Sequence, residues 1–257
     1  MRWIRAVVLV FSTYSRIRLP KARWDNDASV LAIAFLPLVG GLVGCAVWGW
    51  QALCNVLGLS AVLFAAVTVV LPIIITGGIH MDGYCDTSDA LASWQGRERA
   101  LEILKDPNVG AFAVIRFGAY ILISFAVFYE LYISGYDAGI GFSYIVSRCL
   151  AVWSAMTMPN ARKDGMLVAF TEKLDRRAAS IVLTLLTVVG LAGWIFFTFP
   201  RGIMGLVLCL PVMLRYRHMA MVRFGGVTGD TTGYCLQMIE LVLPVGLLVG
   251  GVIFKWV

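Results

Sequence analysis

Seven long apolar runs constrain this chain more than any other feature. They fall at roughly 28–56, 60–76, 110–133, 139–157, 179–199, 202–220 and 236–254. A helix needs about 20 apolar residues to cross the hydrocarbon core of a bilayer. Only helices satisfy their own backbone hydrogen bonds there without closing into a barrel. With 60% hydrophobic and 14% charged residues in 257, the composition also points to lipid as the main solvent. The expectation is an all-α polytopic bundle of about seven transmembrane helices forming one domain, 1–257. No room is left for a separate soluble domain, so any site must lie on the membrane domain itself.

The connections alternate in character. Segments 12–27, 77–109, 158–178 and 215–234 hold nearly all the Lys, Arg, Asp and Glu, whereas those near 57–60 (GLSA), 134–139 (SGYDAG) and 199–202 (FPRG) are short and nearly uncharged. Positive residues in short loops mark the cytoplasmic side. Seven spans with a cytoplasmic N-terminus satisfy the alternation, put every chemically interesting loop on one face and leave the C-terminal FKWV outside, with Trp256 as an interface anchor. The first residues, with Trp3, Val7, Val10 and Phe11 at helical spacing beside Arg2 and Arg5, read as an interfacial amphipathic helix. Gly40, Gly41 and Gly44 suit close helix packing. The formal charge of +6 lies on no long solvated basic face, which argues against nucleic acid as a partner. The six cysteines are scattered without a CxxC pair, so a structural zinc or iron–sulfur site is not expected.

Four segments carry chemistry. In TGGIHMDGYCDTSDALASW (76–94), Asp82, Asp86 and Asp89 stand at i, i+4 and i+7, within an arc of about 60° on one helical face. Like charges so placed repel, and near a bilayer they are costly unless a cation neutralises them. Carboxylate oxygens without thiolate or paired imidazole favour Mg²⁺, with Mn²⁺ the alternative. His80 is open between cap, ligand and base. In RERALEILKDPNVGAF (97–112), Arg97, Arg99 and Lys105 supply positive charge and Asp106 precedes a helix-ending proline; Lys105 is a candidate for phosphate and Asp106 for metal.

In SRCLAVWSAMTMPNARKDGMLVAF (147–170), Arg148 lies inside an apolar run, which marks function by default; Arg162 and Lys163 follow the helix end and suit a diphosphate. In RFGGVTGDTTGYCLQMIE (223–240), Gly226, Thr228 and Gly229 let backbone approach a phosphate or sugar. Asp230 completes a metal shell or acts as a base, and Glu240 lies one to two turns into the last span.

Taken in order, these segments resemble the cobalamin-5′-phosphate synthase (adenosylcobinamide-GDP ribazoletransferase) family. The matching residues are GG-x-H-x-DG-x-x-DT-x-DA at 77–90, RER-x-x-EI-x-KD-x-x-VG at 97–110, SR at 147–148, AR-x-x-G at 161–165 and GG-x-TGD-x-x-G at 225–233. Ala90, Pro107-Asn108 and Gln237 depart from that pattern. The resemblance implies an integral membrane, Mg²⁺-dependent enzyme of the bacterial inner membrane. In its reaction a ribose hydroxyl of alpha-ribazole or its 5′-phosphate attacks the cobinamide-bearing phosphorus of adenosylcobinamide-GDP, and GMP leaves. Self-association, or association with other cobalamin-synthesis enzymes, is the partner expectation left open.

On this reading Asp82, Asp86 and Asp89 hold metal with help from Asp106 or Asp230, and Arg148, Arg162 and Lys105 hold the diphosphate and departing GMP. Arg99, Gly226, Thr228, Gly229 and Glu240 complete the substrate contacts, and His80 or an aspartate takes the hydroxyl proton. A CDP-alcohol phosphotransferase would place Ala-Arg three residues after the first Asp-Gly, which is absent here; no DDxxD cluster suggests a prenyltransferase. A transporter would favour repeated halves with interrupted helices, and no such pairing is evident.

Overall fold

A computed structural model describes residues 2–17, 26–135 and 139–254. The helices are α1 (Arg2–Tyr14), α2 (Asn26–Ala32), α3 (Leu36–Leu57), α4 (Ala61–Thr76), α5 (Ile79–Ala92), α6 (Arg97–Ile103) and α7 (Ala111–Ile133). They continue with α8 (Ile140–Thr157), α9 (Met166–Thr171), α10 (Arg176–Thr198), α11 (Ile203–Met219) and α12 (Gly229–Ile253). Among the described residues there is no strand, only one isolated bridge between Asn160 and Val227. The expected all-helical bundle is what forms. Trp256 and part of the 134–139 loop lie outside the described residues.

Six helices are long and apolar enough to cross a membrane, or seven if α4 and α5 count as one bent span. The pair bends by 96° because α4 ends on two left-handed residues, Gly77 (φ 70°) and Gly78 (φ 81°). A side chain would be strained at either position. The acidic segment therefore runs across the end of α4 instead of prolonging it.

Small residues let the central helices touch. A Cβ at Gly40 or Gly44 of α3 would strike the Tyr144 or Gly141 carbonyl of α8, whereas Gly41 meets only the Ile145 side chain. Two of the three glycines thus act as expected in close packing. The amphipathic α1 also forms, but its buried face is Ala6, Leu9, Val10 and Tyr14, and Trp3 is exposed. Of the expected stripe only Val10 is buried, because α1 lies against α2 and α3 and turns a neighbouring face inward.

The described parts of the four charged segments gather at one end of the bundle. Arg2 pairs with Asp175 (3.2 Å), Lys105 with Asp164 (2.9 Å) and Arg162 with Asp230 (3.7 Å). The Arg223 guanidinium donates to the Gln95 carbonyl (3.4 Å). Loops 158–165 and 225–228 are zipped by Ala161 N–H to Val227 O (2.8 Å) and Val227 N–H to Pro159 O (2.9 Å).

Candidate active site

The site begins where α5 crosses the first turns of α12. A Cβ on Gly83 would lie 2.8 Å from the Asp230 carbonyl oxygen, and one on Gly233 would lie 3.1 Å from the His80 carbonyl oxygen. Paired glycines let two backbones meet where larger residues would hold them apart. The consequence is chemical: Asp82 and Asp86 of α5 come beside Asp230 of α12. The carboxylates of Asp82, Asp86, Asp89 and Asp230 are near enough for Asp86 to feel the other three electrostatically.

The last helix starts earlier than its apolar run suggested. Thr228 caps it, accepting from the Thr231 N–H (3.1 Å) while Thr231 Oγ1 accepts from the Thr228 N–H (2.8 Å). This reciprocal capping pulls Gly229 to Gly233 out of the expected loop and into the helix. Glu240 consequently sits three turns inside α12, not one or two. Asp230 lies in the first turn, where the positive end of the helix dipole favours negative charge. Thr228 Oγ1 donates to it (3.4 Å) and Arg162 stands 3.7 Å away.

Two cavities share Asp82 as a wall. The more enclosed, of about 310 Å³, lies among α1, α5, α8, α9 and α12 and includes His80, Asp82, Gly229 and Asp230. The other, of about 680 Å³, is an open groove between α5 and α7 lined mainly by apolar residues. His80 is buried and stacked on Tyr14 (5.7 Å between centroids, 13° between planes), with Nε2 lacking a hydrogen-bond partner. Arg162 donates through Nη2 to the Leu101 carbonyl (2.6 Å) and keeps its buried Nε unpaired. An unpaired guanidinium edge next to acidic groups can receive a phosphate oxygen.

The other sequence candidates disperse around this centre. Asp89 shares the α5 face but turns its carboxylate to α7, accepting from the Gly110 (2.7 Å) and Ala113 (2.8 Å) N–H groups. It therefore caps a neighbouring helix. Asp106 is exposed and accepts from both the backbone and side-chain N–H groups of Asn108 (2.9 and 2.7 Å), which holds its carboxyl below the usual range. Lys105 pairs with Asp164, whose carboxyl it holds low, and Arg99 with Glu102 (2.7 Å). Gly226, at φ 153°, lies against Pro159 and Asn160 with no space for a side chain. Its role here is to pack one loop on the other.

Arg148 and Glu240 do not line either cavity. They pair with each other in the interior, at 0% and 4% side-chain exposure. Arg148 also donates to the Tyr144 carbonyl and Ser147 Oγ (both 3.1 Å). A charge inside the bundle has to find an opposite charge, and the sequence reading had placed these two separately on substrate. Gln237, one of the departures from the family pattern, accepts from the Tyr120 hydroxyl (2.7 Å) in the same interior.

One contributor went unnoticed in the sequence. Tyr14 reaches the enclosed cavity from a helix read only as an interface anchor. Arg97, expected from the sequence as one of the positive charges of its segment, packs its guanidinium where a Gly225 side chain would be.

As to metal, the donors are hard carboxylates in excess over nearby cations, which in kind fits a hard divalent ion. The described side chains, as they stand, do not converge in any group of three or more potential ligands. Reorientation of Asp82, Asp86 and Asp230 about their side-chain torsions is needed to close a shell.

No solved structure matches the chain. A protein named adenosylcobinamide-GDP ribazoletransferase from Lachnoclostridium phytofermentans is 36% identical over 97% of this chain and 95% of its own length. One of the same name from Pseudomonas entomophila is 34% identical over 94% and 96%, and one from Pseudomonas putida is 33% identical over 85% and 88%. The family model described as cobalamin-5-phosphate synthase matches residues 6–248. That span takes in the acidic α5, the capped start of α12 and the loops that join them. This chain therefore belongs to the cobalamin-5-phosphate synthase family of transferases.

Proposed function

We propose that this chain transfers the adenosylcobinamide phosphate group of adenosylcobinamide-GDP to a ribose hydroxyl of alpha-ribazole or its 5′-phosphate, releasing GMP. The observation that carries the reading is the meeting of Asp82 and Asp86 with Asp230 and Arg162 where α5 crosses α12. A new oxygen–phosphorus bond forms to the ribose as the phosphorus–oxygen bond to GMP breaks. The hydroxyl proton passes to a base, and GMP carries the charge that develops on its oxygen.

Asp82, Asp86 and Asp230 are the residues that would hold Mg²⁺, or Mn²⁺ in its place. Asp89 and Asp106 have other tasks and rank behind them. When bound, such an ion supplies charge neutralisation on the phosphate oxygens. Arg162 steers the diphosphate through its free Nε edge, and Gly229 at the start of α12 lets backbone approach the acceptor's sugar. Lys105 can join by exchanging Asp164 for phosphate. His80 has an unpaired ring nitrogen near Asp82, which suits contact with the acceptor. The base is His80 or one of Asp82 and Asp230.

The charged end of the bundle faces the cytoplasm of the bacterial inner membrane in this reading, by the loop-charge argument. The test is a transfer assay on purified protein with adenosylcobinamide-GDP and alpha-ribazole, with and without Mg²⁺. GMP and a cobalamin product are expected with Mg²⁺ only; no product under either condition would refute the assignment.

A further inference from the structure

Asp82 stands between two cavities that differ in size and character. The enclosed one, of about 310 Å³, is at the small end of ligand pockets, enough for one nucleoside and far too small for a corrinoid. Its walls are apolar around Ile33, Leu36 and Leu167, while His80, Asp82 and Asp230 supply the polar groups. The buried His80 Nε2 is an unpaired hydrogen-bonding atom in that wall, and Tyr14 stacks behind the imidazole. The second cavity, of about 680 Å³ and open, has Val109, Val114 and Phe117 of the α7 side exposed along it. Displacement at phosphorus is in line, so the attacking ribose oxygen lies opposite the bond to the departing GMP, while the corrinoid, bonded to that phosphorus throughout, goes to the cavity that its size allows.

We infer that the two substrates reach Asp82 from opposite cavities. The acceptor riboside enters the enclosed one, and the corrinoid donor lies along the open groove. The flat heterocycle of the acceptor sits among the apolar walls within reach of His80 Nε2, and its ribose hydroxyls face Asp82 and Asp230. The donor's bulk stays outside on the apolar face of α7, and its phosphate alone comes to the carboxylates. This assignment rests on the transferase reading above.

Three variants of the full chain in detergent test it. Gly229→Leu fills the mouth of the enclosed cavity, and a Cβ there meets nothing within 4 Å, so the fold tolerates it. Tyr14→Ala opens the wall behind His80, and Val114→Trp, at a position 61% exposed, narrows the groove. The expected result is a rise of about tenfold or more in the alpha-ribazole KM for the first two, with the donor KM within about twofold of wild type, and the reverse for Val114→Trp. Calorimetric titration of alpha-ribazole without donor should show the same loss for Gly229→Leu and none for Val114→Trp.

If Gly229→Leu melts at the wild-type temperature and binds alpha-ribazole as wild type does, the assignment fails while the transferase reading stands. A raised donor KM with unchanged riboside KM in Gly229→Leu and Tyr14→Ala would invert it. Wild-type protein that releases no GMP would remove the reading beneath both.

Discussion

Replacing Glu240 by Gln tests the interior of the bundle. The substitution keeps the side-chain shape and removes the charge that faces Arg148, which is 0% exposed. Breaking one side of a buried pair costs about 3–5 kcal/mol, because the remaining charge is left uncompensated. At about 1.4 kcal/mol per power of ten, the folded-to-unfolded ratio should fall by about two to four powers of ten. The two remaining Arg148 bonds, to the Tyr144 carbonyl and Ser147 Oγ (both 3.1 Å), are to neutral acceptors and cannot replace the carboxylate. The double variant Arg148→Met with Glu240→Leu removes both charges and should regain most of the loss, since apolar replacement of a buried pair is often neutral.

Tryptophan fluorescence during SDS titration of purified protein gives the stabilities of wild type, Glu240→Gln, the single variants Arg148→Met and Glu240→Leu, and their double variant, and the cycle over wild type and the last three gives the coupling. A Glu240→Gln protein as stable as wild type would refute the reasoning, as would a double variant no better than the worse single. The same proteins decide the role of Arg148. If the pair only holds helices together, the double variant releases GMP within a few-fold of wild type, whereas loss of turnover with stability regained would return Arg148 to the substrate.

Other outcomes follow from the site. Asp82→Asn should abolish transfer while leaving membrane insertion and the melting temperature near wild type, measured by GMP release and thermal unfolding. Asp89→Ala removes the acceptor of two α7 N–H groups and should cost about 1–2 kcal/mol in the SDS titration, as helix-cap losses do. Thr228→Val should cost about 1 kcal/mol by the same argument, and it should also weaken transfer because Asp230 loses its fixed position. Gly83→Val would drive a side chain into the Asp230 backbone, so it should lower stability and activity together, more than Gly118→Ala, where a Cβ meets nothing within 4 Å.

The bundle was legible in the sequence because lipid imposes one rule on every span, and the rule acts locally. The bend between α4 and α5 was not anticipated, although its cause, the left-handed Gly77-Gly78 pair, is local. The helical face of Asp82, Asp86 and Asp89 was also local information and forms as expected. What those carboxylates do was not, because their partners are distant in sequence: Asp89 meets Gly110 and Ala113, Asp82 and Asp86 meet Asp230, and Arg148 meets Glu240, 92 residues away. Spacing on one helix reveals a shared face but not which neighbour covers each part of it. The start of α12 was misjudged for a different reason. Thr228 and its capping partner extend the helix through polar residues, and hydropathy is blind to them. Tyr14 was missed because amphipathicity identifies a helix lying on a surface without saying whether that surface is lipid or protein.

In the proposed reaction Asp82, Asp86 and Asp230 act together on a diphosphate. The most direct test is GMP release from adenosylcobinamide-GDP in the presence of alpha-ribazole and Mg²⁺, comparing wild type with Asp230→Asn. Asp230 comes from a different helix than the acidic motif, so its loss tests the crossing of α5 and α12 and not the motif alone. A fall of about a hundredfold or more in kcat is expected, at unchanged thermal stability. Wild-type turnover in folded Asp230→Asn would contradict it.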